Sequence, residues 1–213
     1  MNFVPFCGPI KSDRSMKEQI ILIGAGGHCK SCIDVIEQHG RFEIAGIVDR
    51  ENHPEVNAVL GYPMLGTDKD LSELKKTYDY ALVTVGQIKS PLSRMQLYNL
   101  LKDLKFSLPI VVSPIAYVSR HASIGEGTIV MHHALVNAGV TIGANCIINN
   151  KALVEHDAII EEHCHIATAA IINGGVKVGA GTFFGSNAVC KEYSEIGENS
   201  VVGCGEKITK NIP

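Results

Sequence analysis

Residues 122–148 read ASIGEGTIVMHHALVNAGVTIGANCII, and an aliphatic side chain returns at every sixth position of this stretch. The same phase continues in both directions without an insertion, and every position that it passes through is apolar. These positions are Val112, Val118, Ile124, Val130, Val136, Ile142, Ile148, Val154, Ile160, Ile166, Ile172, Val178, Phe184, Cys190, Ile196, Val202 and Ile208. Such a sustained period of six predicts a left-handed parallel β-helix, in which three hexads form one triangular coil.

Two further features accompany the aliphatic residue in most hexads. A small residue usually stands two positions before it, as Ala134 and Cys146 do, and glycine often follows it, as at Gly125 and Gly143. The β-branched side chain is expected to point into the prism, and the small residue to fit a crowded corner. We expect the glycine to relax the turn, because glycine adopts backbone conformations that other residues avoid.

The chain before the hexads alternates strand-like apolar runs with segments of helical spacing. The predicted strands are QIILIG (residues 19–24), FEIAGIV (42–48) and YALVTV (80–85). The predicted helices are CKSCIDVIEQHG (29–40), DLSELKKTY (70–78) and PLSRMQLYNLLKDL (91–104). Strands separated by helices predict parallel βαβ units. The fold class is therefore an α/β Rossmann-like N-terminal domain (18–108) followed by a left-handed parallel β-helix (109–213), with residues 1–17 as a flexible leader.

The composition is that of an ordinary globular protein and excludes several classes of partner. The 213 residues are 46% hydrophobic and 19% charged, with a formal net charge of −3. This balance gives no electrostatic reason to expect nucleic acid or a membrane surface, and no apolar run has the length of a spanning helix. The seven cysteines do not form a disulfide framework, so we expect buried thiols in a reducing cytoplasm. A redox role for Cys29-x-x-Cys32 is the alternative.

One pair of adjacent residues in the hexads is suited to proton transfer. His156 is followed directly by Asp157, within the stretch ALVEHDAII of residues 152–160. An anionic partner on one imidazole nitrogen fixes the tautomer and raises the basicity of the other nitrogen. Because neighbours on a strand point to opposite faces, the two side chains can meet only at a corner of the prism. The other hexad histidines, such as His132, His133 and His163, are expected on solvated faces.

A glycine-rich loop follows the first predicted strand and precedes the first predicted helix. Gly24, Gly26 and Gly27 stand where backbone N–H groups at a helix N-terminus can bind phosphate. The loop is not a full dinucleotide fingerprint, because Cys29 occupies the position of the third glycine. A simple tight turn between strand and helix is the alternative.

Taken together, these features resemble one family. The segment GAGGH of residues 24–28, the uninterrupted hexads, and His156-Asp157 followed by His165 resemble the sialic acid O-acetyltransferase family of hexapeptide-repeat acyltransferases. The similarity is greatest to its N-acetyltransferases of nucleotide-linked 4-amino-4,6-dideoxy sugars. The resemblance implies a cytoplasmic homotrimer that uses acetyl-CoA as co-substrate, needs no metal, and has active sites between neighbouring prisms.

The resemblance also implies roles for particular residues. His156 is the expected general base, tuned by Asp157, and the acetyl group passes directly from acetyl-CoA to the sugar amine. His165, Ser186 and Cys204 are the expected acetyl-CoA-binding residues. The nucleotide-linked sugar is expected at Gly26, Gly27, His28, Asp49, Arg50 and Gly86. Uridine is the predicted base, because UDP-linked amino sugars dominate the similar relatives, although the pair Asp49-Arg50 leaves guanosine open.

Three other functions compete with this interpretation. O-acetylation of a free sialic-type sugar would occur within the same family. A zinc prism resembling carbonic anhydrase would use His163 and His165, which alternate onto one face, but it needs a third ligand that is not evident. A non-catalytic nucleotide-sugar-binding or scaffold prism is the third alternative.

Overall fold

The computed structural model of this chain describes residues 17–50 and 57–213. The predicted leader, residues 1–17, lies outside the described residues except for Lys17. The described part forms an N-terminal α/β domain that packs against the side of a triangular prism of β-strands. No helix in residues 17–50 or 57–213 combines the length and apolar character needed to cross a membrane.

The N-terminal domain is a five-stranded sheet with helices on its faces. Its strands are β1 (Glu18–Ile23), β2 (Phe42–Val48), β3 (Ala58–Val59), β4 (Tyr62–Gly66) and β5 (Tyr80–Val83), in the spatial order β3-β4-β2-β1-β5. Its helices are α1 (Gly27–His39), α2 (Leu71–Leu74) and α3 (Leu92–Asp103), with a 3₁₀ turn at Asp68–Asp70. Strands β1, β2, β4 and β5 run parallel, as the βαβ pattern predicted.

Two details of this domain differ from the sequence-based expectation. The predicted helix over residues 70–78 is only the four-residue α2, preceded by the 3₁₀ turn. The hairpin β3–β4 was not predicted, because its strands are short and lack a clear alternation. It closes through Leu60 and Gly61, both with positive φ (48° and 89°), the backbone that a two-residue hairpin turn requires.

The second half is the predicted prism, built from two-residue strands in three parallel sheets. The domain-facing sheet contains β6 (Val111–Val112), β9 (Ile129–Val130), β12 (Ile147–Ile148), β15 (His165–Ile166), β18 (Phe183–Phe184) and β21 (Val201–Val202). The apolar sheet contains β7 (Tyr117–Val118), β10 (Leu135–Val136), β13 (Leu153–Val154), β16 (Ile171–Ile172), β19 (Val189–Cys190) and β22 (Lys207–Ile208). The polar sheet contains β8 (Ser123–Ile124), β11 (Thr141–Ile142), β14 (Ile159–Ile160), β17 (Lys177–Val178) and β20 (Glu195–Ile196).

The aliphatic residues of the hexads fill the interior of the prism. Val136 pairs with Val154, and Val154 pairs with Ile172, so each coil stacks on the next in strict register. These side chains are completely buried and belong to one continuous core together with small corner residues such as Ala152. The predicted inward direction of the aliphatic residue and the corner position of the small residue are both confirmed.

The expected role of the glycine after the aliphatic residue is wrong. The left-handed backbone of each turn lies two residues further on, for example at Asn145 (φ 54°) and Asp157 (φ 59°). Gly143 instead permits close stacking of coils, because a Cβ atom there would lie 2.5 Å from the backbone nitrogen of Glu162 in the next coil. Glycine at this position therefore removes a side chain between coils.

The outer faces of the three sheets have different surroundings. Ile129 and Ile147 of the domain-facing sheet are buried against the N-terminal domain, in a cluster that includes Ile33 of α1. The polar sheet presents hydrophilic pairs, such as Lys177 with Glu195. The apolar sheet presents a half-exposed to exposed column of large side chains that nothing in the described chain covers: Tyr117, Leu135, Leu153, Ile171 and Val189.

We expect Ile160→Ala to lower the free energy of unfolding by about 2–5 kcal/mol, because it leaves a cavity inside the prism. Ile160 is completely buried, whereas its neighbour Ile159 on the same strand is 40% exposed on the outer face. Ile159→Ala is therefore the matched control, with a much smaller expected loss. Chemical denaturation of both variants measures the difference, and equal losses would contradict the assigned direction of the two side chains.

Candidate active site

A cleft of about 810 Å³ opens between the carboxyl edge of the N-terminal sheet and the prism. Parallel strands β5, β1, β2 and β4 all end at this edge, the edge at which α/β sheets bind ligands. The prism contributes part of the domain-facing sheet and the corner that follows it. The lining includes Gly24, Ala25, Gly26, Gly27, His28, Asp49, Arg50, Asp68, Gly86, Gln87, Asn149, Asn150, His165 and Thr168.

The glycine-rich loop forms the middle of the cleft. Gly26 precedes helix α1, and a Cβ atom on Gly26 or Gly27 would meet no atom within 4 Å, so the space above both is open. Asp49 braces the loop: its Oδ2 accepts the Ala25 N–H at 3.2 Å, and its Oδ1 accepts the Arg50 N–H at 2.8 Å. Backbone N–H groups at a helix start, next to open space, suit a phosphate group.

Two buried histidines stand where the cleft meets the prism. His165 Nδ1 donates to the backbone carbonyl of Gln87 at 2.6 Å, and its Nε2 lies 3.1 Å from Nδ2 of Asn149. The His28 ring lies 6.3 Å from the His165 ring. Burial lowers the pKa of His165 to about 4 and the pKa of His28 to about 3. Both imidazoles are therefore neutral at pH 7 and would take up protons only in acid.

Unsatisfied polar atoms are concentrated in this cleft. Among the described residues, seven buried side-chain nitrogen or oxygen atoms lack a hydrogen-bond partner. Four of them, His28 Nε2, Asp68 Oδ1, Gln87 Oε1 and Asn150 Oδ1, belong to residues that line it. Because buried polar groups normally have partners, this concentration indicates a place where a polar ligand supplies them.

A buried arginine fixes the cleft wall from behind. Arg94 of α3 is 1% exposed, and its Nη1 donates to the carbonyls of Val83 (2.8 Å) and Val85 (2.9 Å). Its Nε donates to the carbonyl of Asn145, at a corner of the prism, at 3.2 Å. Burial lowers the pKa of Arg94 to about 10, so it remains charged at pH 7. The end of β5, and with it Gln87, is thereby tied to the prism.

His156 and Asp157 meet as predicted, but outside this cleft. They lie at the corner between the apolar and polar sheets, where the left-handed conformation of Asp157 turns the chain. His156 Nδ1 lies 3.0 Å from Asp157 Oδ2, and the side chains are 54% and 73% exposed. The contact leaves Nε2 of His156 available. A Cβ atom on Gly174 in the next coil would lie 2.6 Å from this Nε2, so glycine keeps the space open.

Ser186 and Cys204 lie on a third part of the surface, the corner between the domain-facing and apolar sheets. They stack one coil apart above Thr168 and Asn150 of the cleft, and Gly205 N–H donates to the Ser186 carbonyl at 2.8 Å. We call Asn150, Thr168, Ser186 and Cys204 the corner column. Ser186 is half-buried and Cys204 is exposed.

The structure thus divides the predicted site residues among three places. The cleft brings together Gly26, Gly27, His28, Asp49, Arg50, Gly86 and His165, while His156 with Asp157, and Ser186 with Cys204, lie elsewhere in the chain. Sequence reasoning missed Asp68, Gln87, Asn149, Asn150 and Thr168. Two of them could have been predicted from the hexad phase. Asn150 and Thr168 occupy the same corner position as Ser186, two coils and one coil earlier in the chain.

Two histidines expected on solvated faces have specific contacts. His132 Nε2 lies 2.7 Å from Asp34 Oδ2 of α1, and its Nδ1 lies 2.6 Å from Ser113 Oγ, so it links the two domains. His163 is buried, with Nδ1 at 2.9 Å from Asn145 Nδ2. Among residues 17–50 and 57–213, no group of three or more His, Cys, Asp or Glu side chains is placed to hold a metal ion.

Comparison with known proteins supports the fold of an N-terminal α/β domain followed by a hexapeptide-repeat prism. Residues 19–100 match the PglD N-terminal domain, and residues 121–156 match the bacterial transferase hexapeptide (six repeats). A mutant perosamine N-acetyltransferase from Caulobacter crescentus, solved with CoA and GDP-perosamine, is 32% identical, with a TM-score of 0.86 over 95% of this chain and 93% of that one. The acetyltransferase domain of PglB from Neisseria gonorrhoeae, solved with acetyl coenzyme A, is 29% identical, with a TM-score of 0.84 over 92% and 93%.

Matches to curated relatives cover less than half of this chain. An acyl-[acyl-carrier-protein]–UDP-N-acetylglucosamine O-acyltransferase from Pseudomonas putida is 29% identical over 98 residues, which are 45% of this chain. The chain covers only 38% of the length of that relative.

The fold and the cleft define a hexapeptide-repeat acyltransferase that carries a Rossmann-like domain at its N-terminus. The chain belongs to the sialic acid O-acetyltransferase family of these enzymes, alongside the amino-sugar N-acetyltransferases, as its sequence resemblance predicted.

Proposed function

We propose that this protein transfers an acetyl group from acetyl-CoA to the amine of a nucleotide-linked 4-amino-4,6-dideoxy sugar. The observation that carries the proposal is the cleft, which joins an open glycine loop at a helix start to neutral buried histidines and holds four unpartnered polar atoms. The six described cysteines are free, which is consistent with a reducing cytoplasm as its place of action.

The arrangement of the cleft suggests how the sugar nucleotide lies. The diphosphate is placed at Gly26 and Gly27, where helix α1 begins and the dipole favours negative charge. The sugar then extends toward the prism, where His28 and Gln87 hold unpartnered polar atoms. Acetyl-CoA is placed along the corner column, which continues from the cleft through Ser186 to Cys204.

The proposed general base, His156, can complete the active site at the cleft only if a second subunit supplies it. We propose a homotrimer whose apolar sheets face a common three-fold axis, which covers the exposed column of Leu153 and its neighbours. Each apolar sheet has two corners, one that carries His156 and one that carries the corner column. In the proposed trimer, the His156 corner of one subunit meets the corner column of the next. His156 of the partner subunit is thereby placed beside the corner column and the cleft.

The proposed reaction is a direct transfer. The uncharged sugar amine attacks the thioester carbonyl and forms the new C–N bond, while Nε2 of His156 accepts the proton that the amine loses. The tetrahedral intermediate collapses by breaking the C–S bond, and the leaving sulfur takes up the proton held by His156, so CoA departs as a thiol. Asp157 holds the Nδ1–H of His156 in place, which keeps Nε2 free for this transfer.

We expect His156→Ala to lower kcat by about 10²–10⁴-fold, the contribution of one general base, while acetyl-CoA affinity is retained. Asp157→Asn should cost less, because it removes a charge and keeps a side chain of the same shape. His121→Ala is the matched control, because His121 is an exposed histidine on the same corner, two coils away. Steady-state kinetics measure all three variants, and near-normal turnover of His156→Ala would contradict the assignment.

Mixed trimers test whether the active site is shared. Gly26→Asp should abolish sugar-nucleotide binding without disturbing the fold, because a Cβ atom there meets nothing within 4 Å. When His156→Ala and Gly26→Asp chains are co-expressed, each inactive alone, about a quarter of the sites should combine two intact halves. Light scattering should show a trimer. No recovery of activity in a verified mixture would mean that each subunit uses its own His156.

The nucleobase is the finer part of the proposal. We expect UDP to raise the thermal unfolding temperature and GDP not to, because UDP-linked sugars dominate the relatives that this sequence resembles. The perosamine N-acetyltransferase structure, by contrast, contains GDP-perosamine. Asp49→Ala should abolish the protection, since Asp49 braces the glycine loop. Equal protection by both nucleotides would contradict the expected preference for uridine.

A further inference from the structure

Asp68 is a cleft residue to which neither the sequence motifs nor the proposed chemistry gives a role. It begins the 3₁₀ turn after strand β4, and its Oδ1 is buried without a hydrogen-bond donor in the described part of the chain. Burial and the nearby carboxylate of Asp49 raise its pKa. A carboxylate in this situation is stabilised by any N–H donor that a ligand brings.

The position of Asp68 matches the nucleobase end of a bound nucleotide. Along the carboxyl edge of the sheet, the glycine loop follows β1, Asp49 follows β2, and Asp68 follows β4. Neighbouring strands lie about 4.8 Å apart, so Asp68 is about 10 Å from the loop along this edge. That distance suits a ribose and a base that extend away from a diphosphate at the loop, on the side opposite to the prism.

The other candidates at this end are less available. Both carboxylate oxygens of Asp49 already accept backbone N–H groups, one from Ala25 and one from Arg50. Arg50 has an exposed side chain that offers only donors. Asp68 is therefore the acceptor with unused capacity, and its terminal torsion is soft enough to turn either oxygen toward a ligand.

We propose that Asp68 recognises the nucleobase by accepting a hydrogen bond from a ring N–H, and so selects uracil or guanine over cytosine. This inference rests on the proposed function, because it assumes a nucleotide at the glycine loop. Uracil carries a ring N–H at N3, and guanine carries one at N1 beside an amino group. Cytosine presents an unprotonated N3 at the same edge, whose lone pair repels a carboxylate.

The test compares nucleotide binding to the full chain and to Asp68→Asn, which keeps the shape but adds a donor. Calorimetry with UDP, GDP, CDP and inorganic pyrophosphate measures the affinities. The unaltered protein should prefer UDP or GDP to CDP. Asp68→Asn should weaken that preferred nucleotide by about 10- to 100-fold, the range for a hydrogen bond to a charged group. Pyrophosphate, which lacks a base, should bind unchanged, and CDP should bind at least as well as before.

Two further variants make the result decisive. Asp68→Ala removes the acceptor without adding a donor, so it should lose the preference over CDP, mainly by weakening the preferred nucleotide, and its gain in CDP affinity should be smaller than that of Asp68→Asn. Asp79→Asn is the matched control, because Asp79 is exposed and precedes β5 at the opposite edge of the sheet.

An unchanged preference in both Asp68 variants would overturn the inference, and so would an equal loss for all four ligands, which would make Asp68 structural. Both outcomes leave the proposed function intact. If the unaltered protein binds none of the nucleotides, the proposed function fails, and this inference fails with it.

Discussion

The strict stacking of coils is the constraint on which the rest of the structure depends. Each inward residue pairs with the residue one coil away, as Val136 does with Val154, so an insertion within a strand would break the register of the core. The same stacking aligns every corner residue with the residues one coil above and below it. Side chains at the same corner of successive coils therefore form a continuous column on the surface. Asn150, Thr168, Ser186 and Cys204 form one such column.

The attachment of the N-terminal domain converts this scaffold into a site. Ile129 and Ile147 bury the domain-facing sheet against α1, and Arg94 ties the end of β5 to a prism corner. His165 then reaches the Gln87 carbonyl across the boundary between the domains. The cleft exists because these contacts hold the carboxyl edge of the sheet close to the prism without closing the space between them.

The three outer faces of the prism explain why the proposed general base, His156, lies apart from the cleft. One sheet is covered by the chain's own domain, one is polar, and one exposes an apolar column. In the proposed trimer, other copies of the chain would cover the apolar column, and opposite corners would then meet so that His156 lies beside the cleft of the next subunit. The interface that would protect this apolar surface from water is, in the proposed trimer, also the place of the reaction.

The sequence by itself determined the prism, the parallel βαβ domain, the glycine loop and the contact of His156 with Asp157, because each depends on a short period or on adjacent residues. It did not determine the β3–β4 hairpin or the cleft lining from Asp68, Gln87 and Asn149. It also mistook the role of Gly143, which concerns the next coil and not its own turn. The hairpin was missed because its two strands are short and lack a clear alternation. The other features join residues far apart in the chain, and only the packing of one coil or domain on another decides which side chains meet.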